Sequence, residues 1–175
     1  MVEVWKLLDK ISNSSKSNIF ITGRKKSGKT TAIVNYIKNN KIRNLAGFMV
    51  ARKLKNNKPV SFYLVSPEEY INSANNLSLK ADYCFASREN PTTYNWQVKS
   101  EVFNKIGVEL LKAGDRNSLV IIDELGRFEI NSWEFQTQVF KTLLSERKVL
   151  GVLKAESNLF LDKIRMRTDL EILHI

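Results

Sequence analysis

Cysteine and histidine each occur once in this chain of 175 residues. Cys84 can form no intrachain disulfide and has no partner for a thiolate metal site, and His174 is equally alone, so a zinc centre is not expected. Long apolar runs are also missing, and no stretch approaches a membrane span. The opening segment Val2-Glu3-Val4-Trp5-Lys6-Leu7-Leu8-Asp9 is too charged for a signal peptide. The expectation is a cytoplasmic protein without membrane contact. Internal repeats, low-complexity tracts and linkers are absent as well, which points to a single domain over residues 1–175 with one sizeable core. Hydrophobic content of 43% and charged content of 26% are ordinary for a globular chain and exclude a disordered or fibrous one.

Acids are the minority charge. Lysine and arginine outnumber aspartate and glutamate 28 to 18, for a formal charge of +10, which attracts polyanions in general, nucleic acid included. The cations are dispersed along the chain: Arg24, Lys25, Lys26 and Lys29; Arg52, Lys53, Lys55 and Lys58; Lys148, Arg165 and Arg167. Dispersion favours a solvated surface over a dedicated nucleic-acid groove, and no recognisable nucleic-acid motif accompanies it.

What is present begins with Gly23-Arg24-Lys25-Lys26-Ser27-Gly28-Lys29-Thr30, which fits Gly-x4-Gly-Lys-Ser/Thr. Ahead of it, Asn18 to Thr22 reads as a strand; behind it, the residues from Thr31 to Ile37 carry apolar side chains at helical spacing. A loop between strand and helix lets successive backbone N–H groups converge on one anion, helped by the positive end of the helix. Residues Gly23 to Thr31 are the expected phosphate-binding set. Lys29 would reach the β- and γ-phosphates and the Thr30 hydroxyl would hold Mg²⁺.

Along the rest of the chain, Val2 to Ile11 predicts an amphipathic helix with Val4, Trp5, Leu8 and Ile11 on one side. Leu45–Val50 and Val60–Val65 bracket Asn56-Asn57-Lys58-Pro59 as a hairpin with a longer turn. Residues 66–94 are polar and read as irregular surface structure rather than a lid. Ser100–Leu111 predicts a helix capped by Ser100, with Val102, Phe103, Ile106 and Leu110 inward and Gly114 as its stop. Leu119–Ile122 and Val149–Leu153 predict central strands, Asn131 opens a helix through a capping box with Glu134, and Val139, Phe140, Leu143 and Leu144 supply its core face. A helix over Leu159–Met166 and a last strand over Leu170–Ile175 complete an α/β sheet, mostly parallel.

Leu119–Ile122 runs into Asp123 and Glu124. An acid at the carboxyl end of a central strand sits where open α/β sheets place ligands, so Asp123 is the expected second Mg²⁺ residue, a Walker B acid. Glu124, a second carboxylate beside it, would orient or deprotonate an attacking water. That arrangement favours hydrolysis. A nucleotide kinase would need an Arg-rich lid, and the middle of the chain offers only Arg88.

Asp123-Glu124-Leu125-Gly126-Arg127-Phe128-Glu129 resembles the Asp-Glu-Ile-Gly-Lys-Met-Glu block of the THEP1 nucleoside-triphosphatase family of P-loop proteins, and the order of the other elements resembles that family's layout over most of the chain. The resemblance implies a RecA-like sheet with a β-hairpin insertion and Mg²⁺-dependent hydrolysis of ATP, GTP and other nucleoside triphosphates. By it, Gly23 to Thr30 match the phosphate loop, Asp123 the metal acid, Glu124 the activating base and Glu129 a second acid, for which a surface glutamate is the other reading. Arg127 matches a basic position, facing phosphate, Glu129 or solvent. Lys25 and Lys26 depart from the family loop, standing where it has Pro and a second Gly, which implies weaker phosphate binding or a stiffer loop. Lys154, Arg165 and Arg167 are candidates for the positive charge that γ-phosphate cleavage needs. Two other classes stay open on the residues alone: a P-loop module that binds without turnover, and an ATPase that works on nucleic acid.

Overall fold

Five parallel strands carry the middle of the molecule, and each is written in the chain as a short apolar run. The computed structural model describes residues 2–73 and 77–175. Helix α1 (Val2–Asn13) precedes β1 (Asn18–Thr22), α2 (Lys29–Asn39), β2 (Leu45–Lys55), β3 (Lys58–Val65), α3 (Pro67–Asn72), β4 (Cys84–Ser87) and β5 (Gln97–Val98). A helix follows in three parts, α4 (Ser100–Val102), a π turn (Phe103–Gly107) and α5 (Val108–Lys112). Then come β6 (Leu119–Leu125), α6 (Trp133–Leu143), β7 (Val149–Leu153), α7 (Leu159–Arg165) and β8 (Leu170–His174).

All eight strands join one sheet in the order β5-β4-β3-β2-β6-β7-β1-β8. The pairings from β2 through β6, β7 and β1 to β8 are parallel; β3, β4 and β5 add antiparallel strands on the far side of β2. β1 and β7 are buried throughout, as strands covered on both faces must be. One core packs α6, α7 and the π-containing helix on one face around Phe20, Phe48, Phe103, Phe135 and Leu161. The other packs α1 and α2 on the opposite face through Leu7, Ile11, Ile33 and Ile37.

Several local expectations are corrected. The hairpin turn is only Asn56-Asn57, both at positive φ (51° and 59°), because Lys58 and Pro59 already pair with Lys55 and Leu54 in the sheet. Asparagine tolerates that left-handed geometry, which matches the twist of two-residue hairpins. The polar middle is more regular than expected. α3 starts in a full capping box between Ser66 and Glu69, and β4 is a third antiparallel strand. Residues 74–76 of the polar stretch lie outside the described part, as do the side chains of Val4 and Trp5.

Ser100 is not a cap: Lys99 holds that position with no side-chain bond. The π turn inserts an extra residue per turn, so Leu111 rather than Leu110 becomes fully buried. α6 begins after Ser132 without a side-chain cap, so Asn131 does not open it. Phe135 supplies its deepest core contact, and Leu144 is exposed.

Candidate functional site

The loop between β1 and α2 is held by backbone conformation that its residues dictate. Gly23 has φ +147°, and a Cβ there would stand 2.0 Å from the Ile175 carbonyl oxygen, so only glycine fits where β1 leaves the sheet. Gly28, at φ +92°, turns the chain into α2. Lys26 takes φ +64°, so the position where a family member would carry glycine keeps the left-handed geometry with a side chain attached. Arg24, Lys25 and Lys26 point their side chains to solvent. Lys29 does not: its Nζ donates to the carbonyl oxygens of Gly23 (3.1 Å) and Arg24 (2.6 Å) and to Ser27 Oγ (3.3 Å). Burial lowers its pKa, against the opposing pull of Glu124 and Asp123. The loop's own oxygens thus hold the ammonium in place.

Asp123 and Glu124 lie near the end of β6. Met49 of β2 pairs with Asp123. On the other side the register with β7 shifts between Ile122 and Leu125, so the acidic pair leaves the regular ladder. Asp123 is 3% exposed. Burial raises its pKa to about 6; the neighbouring Thr30 side chain pulls it back down, Glu124 adds to the rise, and the charges of Arg52 and Lys29 oppose it. The structure thus brings Thr30 and Asp123 together, 93 positions apart in the chain (123 − 30). A hydroxyl and a carboxylate beside a phosphate cradle form the oxygen donor set that suits Mg²⁺, which keeps several waters and takes one or two carboxylates.

Glu124 lines the same cleft and pairs with Lys154, just after β7, at Nζ–Oε1 3.2 Å. The other two cationic candidates are committed elsewhere. Arg165 bonds the carbonyl oxygens of Lys154 and Glu156 and the Asp162 carboxylate, fastening the segment after β7. Arg167 is held by Asp169.

Glu129 is not a surface residue. It is 3% exposed and accepts a 2.9 Å hydrogen bond from the Gly126 N–H, closing the turn after β6. Burial lifts its pKa to about 7. Arg127 is exposed, with its guanidinium 5.4 Å from the Phe128 ring centre, and among the described residues no ion pair joins it to Glu129.

The cleft over this site has a volume of about 820 Å³. The loop from Gly23 to Thr31 forms one wall. The other wall was not visible in the sequence: Arg52, Lys58, Phe62, Arg88, Trp96 and Phe128 come from five separate segments. Because Met49 pairs with the acid at the end of β6, the residues from Val50 to Lys55 run on past the carboxyl end of the parallel sheet and carry β3 with them. The basic run at Arg52 and Lys58 therefore overhangs the site. Periodicity gave no hint of this, since the overhang depends on strand register.

A glycine-gated loop at the amino end of a helix, facing a buried acid on a central parallel strand, defines a nucleotide-binding P-loop α/β enzyme. The family described as NTPase matches residues 18–175, and the chain belongs to it. Nucleoside-triphosphatase THEP1 of Thermotoga sp. (strain RQ2) is 29% identical across 90% of this chain and 85% of its own length. Its counterpart from Thermotoga maritima is 28% identical over the same shares. In structure, the chain is similar to THEP1 from Aquifex aeolicus (TM-score 0.67, 20% identity, 90% of this chain and 88% of that one). It is likewise similar to a human cancer-related nucleoside triphosphatase (TM-score 0.66, 19% identity, the same shares). The fold is the mostly parallel, helix-flanked α/β sheet with a β-hairpin expected from the sequence, matching THEP1 structures, and the activity is nucleoside-triphosphate hydrolysis.

Proposed function

We propose that this chain is a single P-loop domain over residues 1–175 that releases the γ-phosphate from ATP, GTP and other nucleoside triphosphates in a Mg²⁺-dependent reaction in the cytoplasm. The observation that carries the reading is that Lys29, Thr30 and Glu124 line one cleft beside the buried Asp123. In it, the backbone N–H groups from Gly23 to Thr31 cradle the β- and γ-phosphates. Lys29 leaves the carbonyls of Gly23 and Arg24 for phosphate oxygens. Thr30 and Asp123 would hold Mg²⁺, which supplies charge neutralisation across those phosphates.

Glu124 orients the attacking water and takes its proton as the new O–P bond forms and the bond to the β,γ-bridging oxygen breaks. Lys154, paired with Glu124 at 3.2 Å, supplies the positive charge in cis. The ammonium that pairs with this carboxylate would turn to the γ-phosphoryl group as charge develops there. Glu129 acts at one remove, by holding the turn that carries Gly126.

The test is Glu124→Gln. It should bind triphosphate as the wild type does and lose hydrolysis by roughly 10²- to 10⁴-fold. Equal phosphate release by the two proteins rejects the assignment.

A further inference from the structure

The cleft is wider than one set of phosphates needs. In sheet order β3 stands four strand spacings from β1, roughly 19 Å at about 4.8 Å each. A triphosphate bound as above points its γ-phosphate toward Asp123 on β6, which directs its nucleoside away from β2 and β3. The chamber under the β2–β3 overhang therefore lies beyond the γ-phosphate, next to Glu124 and Lys154.

Rings and cations make up most of its walls, with Glu124 and Glu156 the carboxylates among them. Phe62, Trp96 and Phe128 form an aromatic cluster, with Phe62–Trp96 centroids 4.8 Å apart and Trp96–Phe128 5.7 Å. Cations are laid onto these rings. Arg88 sits 4.4 Å from the Trp96 ring centre and donates to the carbonyl oxygens of Pro59 and Thr93; Lys154 sits 5.4 Å from that of Phe128. Arg52 is the cross-strand neighbour of Phe62, which sets guanidinium and ring on the same face of the sheet. Tyr94, 88% exposed, stands at the mouth. Planar rings and guanidinium planes interleaved with positive charge recognise a nucleobase that carries a phosphate.

We propose that this chamber is a second nucleotide site, distinct from the phosphate loop, which seats a base and its phosphate on the γ-phosphate side of the bound triphosphate. The proposal rests on the loop reading above for its orientation. Its occupant is a nucleobase–phosphate unit, supplied either by a free mononucleotide or by a single strand of nucleic acid. The lack of an arginine cluster along the chain does not oppose this, because Arg52, Arg88 and Arg127 meet only in the folded cleft.

The test uses the full chain with Trp5→Phe and Trp133→Phe, which leaves Trp96 as the sole indole. The loop is first saturated with Mg²⁺ and a β,γ-imido triphosphate, and that binding is measured separately, so a failure of the loop reading shows by itself. Adenosine 5′-monophosphate, a short single-stranded oligonucleotide and ribose 5-phosphate are then titrated against Trp96 fluorescence. A saturable change with the mononucleotide assigns the free-nucleotide source, and one with the oligonucleotide alone assigns the strand; ribose 5-phosphate should bind at least tenfold more weakly. Tyr94→Ala and Arg52→Ala should each weaken the second binding about tenfold, and Tyr94→Ala should leave basal phosphate release unchanged. The proposal is overturned if neither base-containing probe binds the loaded protein, if excess imido triphosphate displaces the probe, or if both variants bind as the wild type does.

Discussion

Replacing Lys154 by methionine removes a charge and keeps most of the volume of its stem. In the unliganded site Nζ lies 3.2 Å from Glu124 Oε1, with the two side chains 31% and 22% exposed. Unit charges about 3 Å apart attract by roughly 5 kcal/mol at an effective dielectric near 20. Transition-state stabilisation draws only on the increment of charge that develops as the γ-phosphoryl group leaves, in a cleft that is partly open to water. About 3 to 4 kcal/mol is the reasonable share, which is roughly 10²- to 10³-fold in kcat.

The cost to folding should be under about 1 kcal/mol, because the pair is partly solvated. Single-turnover phosphate release separates the chemical step from binding, and thermal melting monitors the fold. Lys154→Arg should retain most of the rate, since a charge remains in reach. A Lys154→Met protein that melts normally and turns over within threefold of the wild type would refute the argument, and the charge would then have to come from another cation of the cleft or from another molecule.

Lys29→Ala should abolish triphosphate binding as read by equilibrium titration, although it also removes three hydrogen bonds to the loop's own oxygens. Lys26→Gly should raise stability by about 1 kcal/mol in denaturant melts, because a left-handed non-glycine residue costs roughly that much. Chelation of divalent cations, and Asp123→Asn separately, should each stop turnover in the phosphate-release assay while far-UV circular dichroism stays unchanged.

Glu129 makes stability depend on pH. Its carboxyl is raised from 4.5 to about 7 by burial, with Lys154 lowering and Glu124 raising it. A carboxyl with a raised native pKa binds more protons folded than unfolded, so its stabilisation is complete below about pH 4.5 and is lost as pH climbs through 7. That loss is on the order of 3 kcal/mol. Glu129→Gln should flatten the fall in denaturant midpoint between pH 5 and 8; an unchanged slope would contradict the assignment.

The phosphate loop was legible from the chain because its chemistry is local. Gly23 and Gly28 take their positive φ, and Lys29 and Thr30 their places at the start of α2, within a pattern eight residues long. Asp123 and Glu124 were legible for a related reason: the apolar run before them marks a strand covered on both faces, and its carboxyl end is where an open α/β sheet places a ligand. Helix boundaries were less legible. The π turn at Phe103–Gly107 moved burial from Leu110 to Leu111, and Glu134 completed no capping box.

By itself, then, the order of residues determined the parallel core, the loop between β1 and α2 and the acids at the end of β6, since each depends on neighbours within a few positions. Tertiary structure alone decided that Lys154 rather than Arg165 or Arg167 stands free to face Glu124, that Glu129 is buried, and that Arg52, Phe62, Arg88, Trp96 and Phe128 share one wall. Those relations depend on which strands lie side by side and in what register. Packing of the whole sheet sets both, and no short stretch of the chain carries that information.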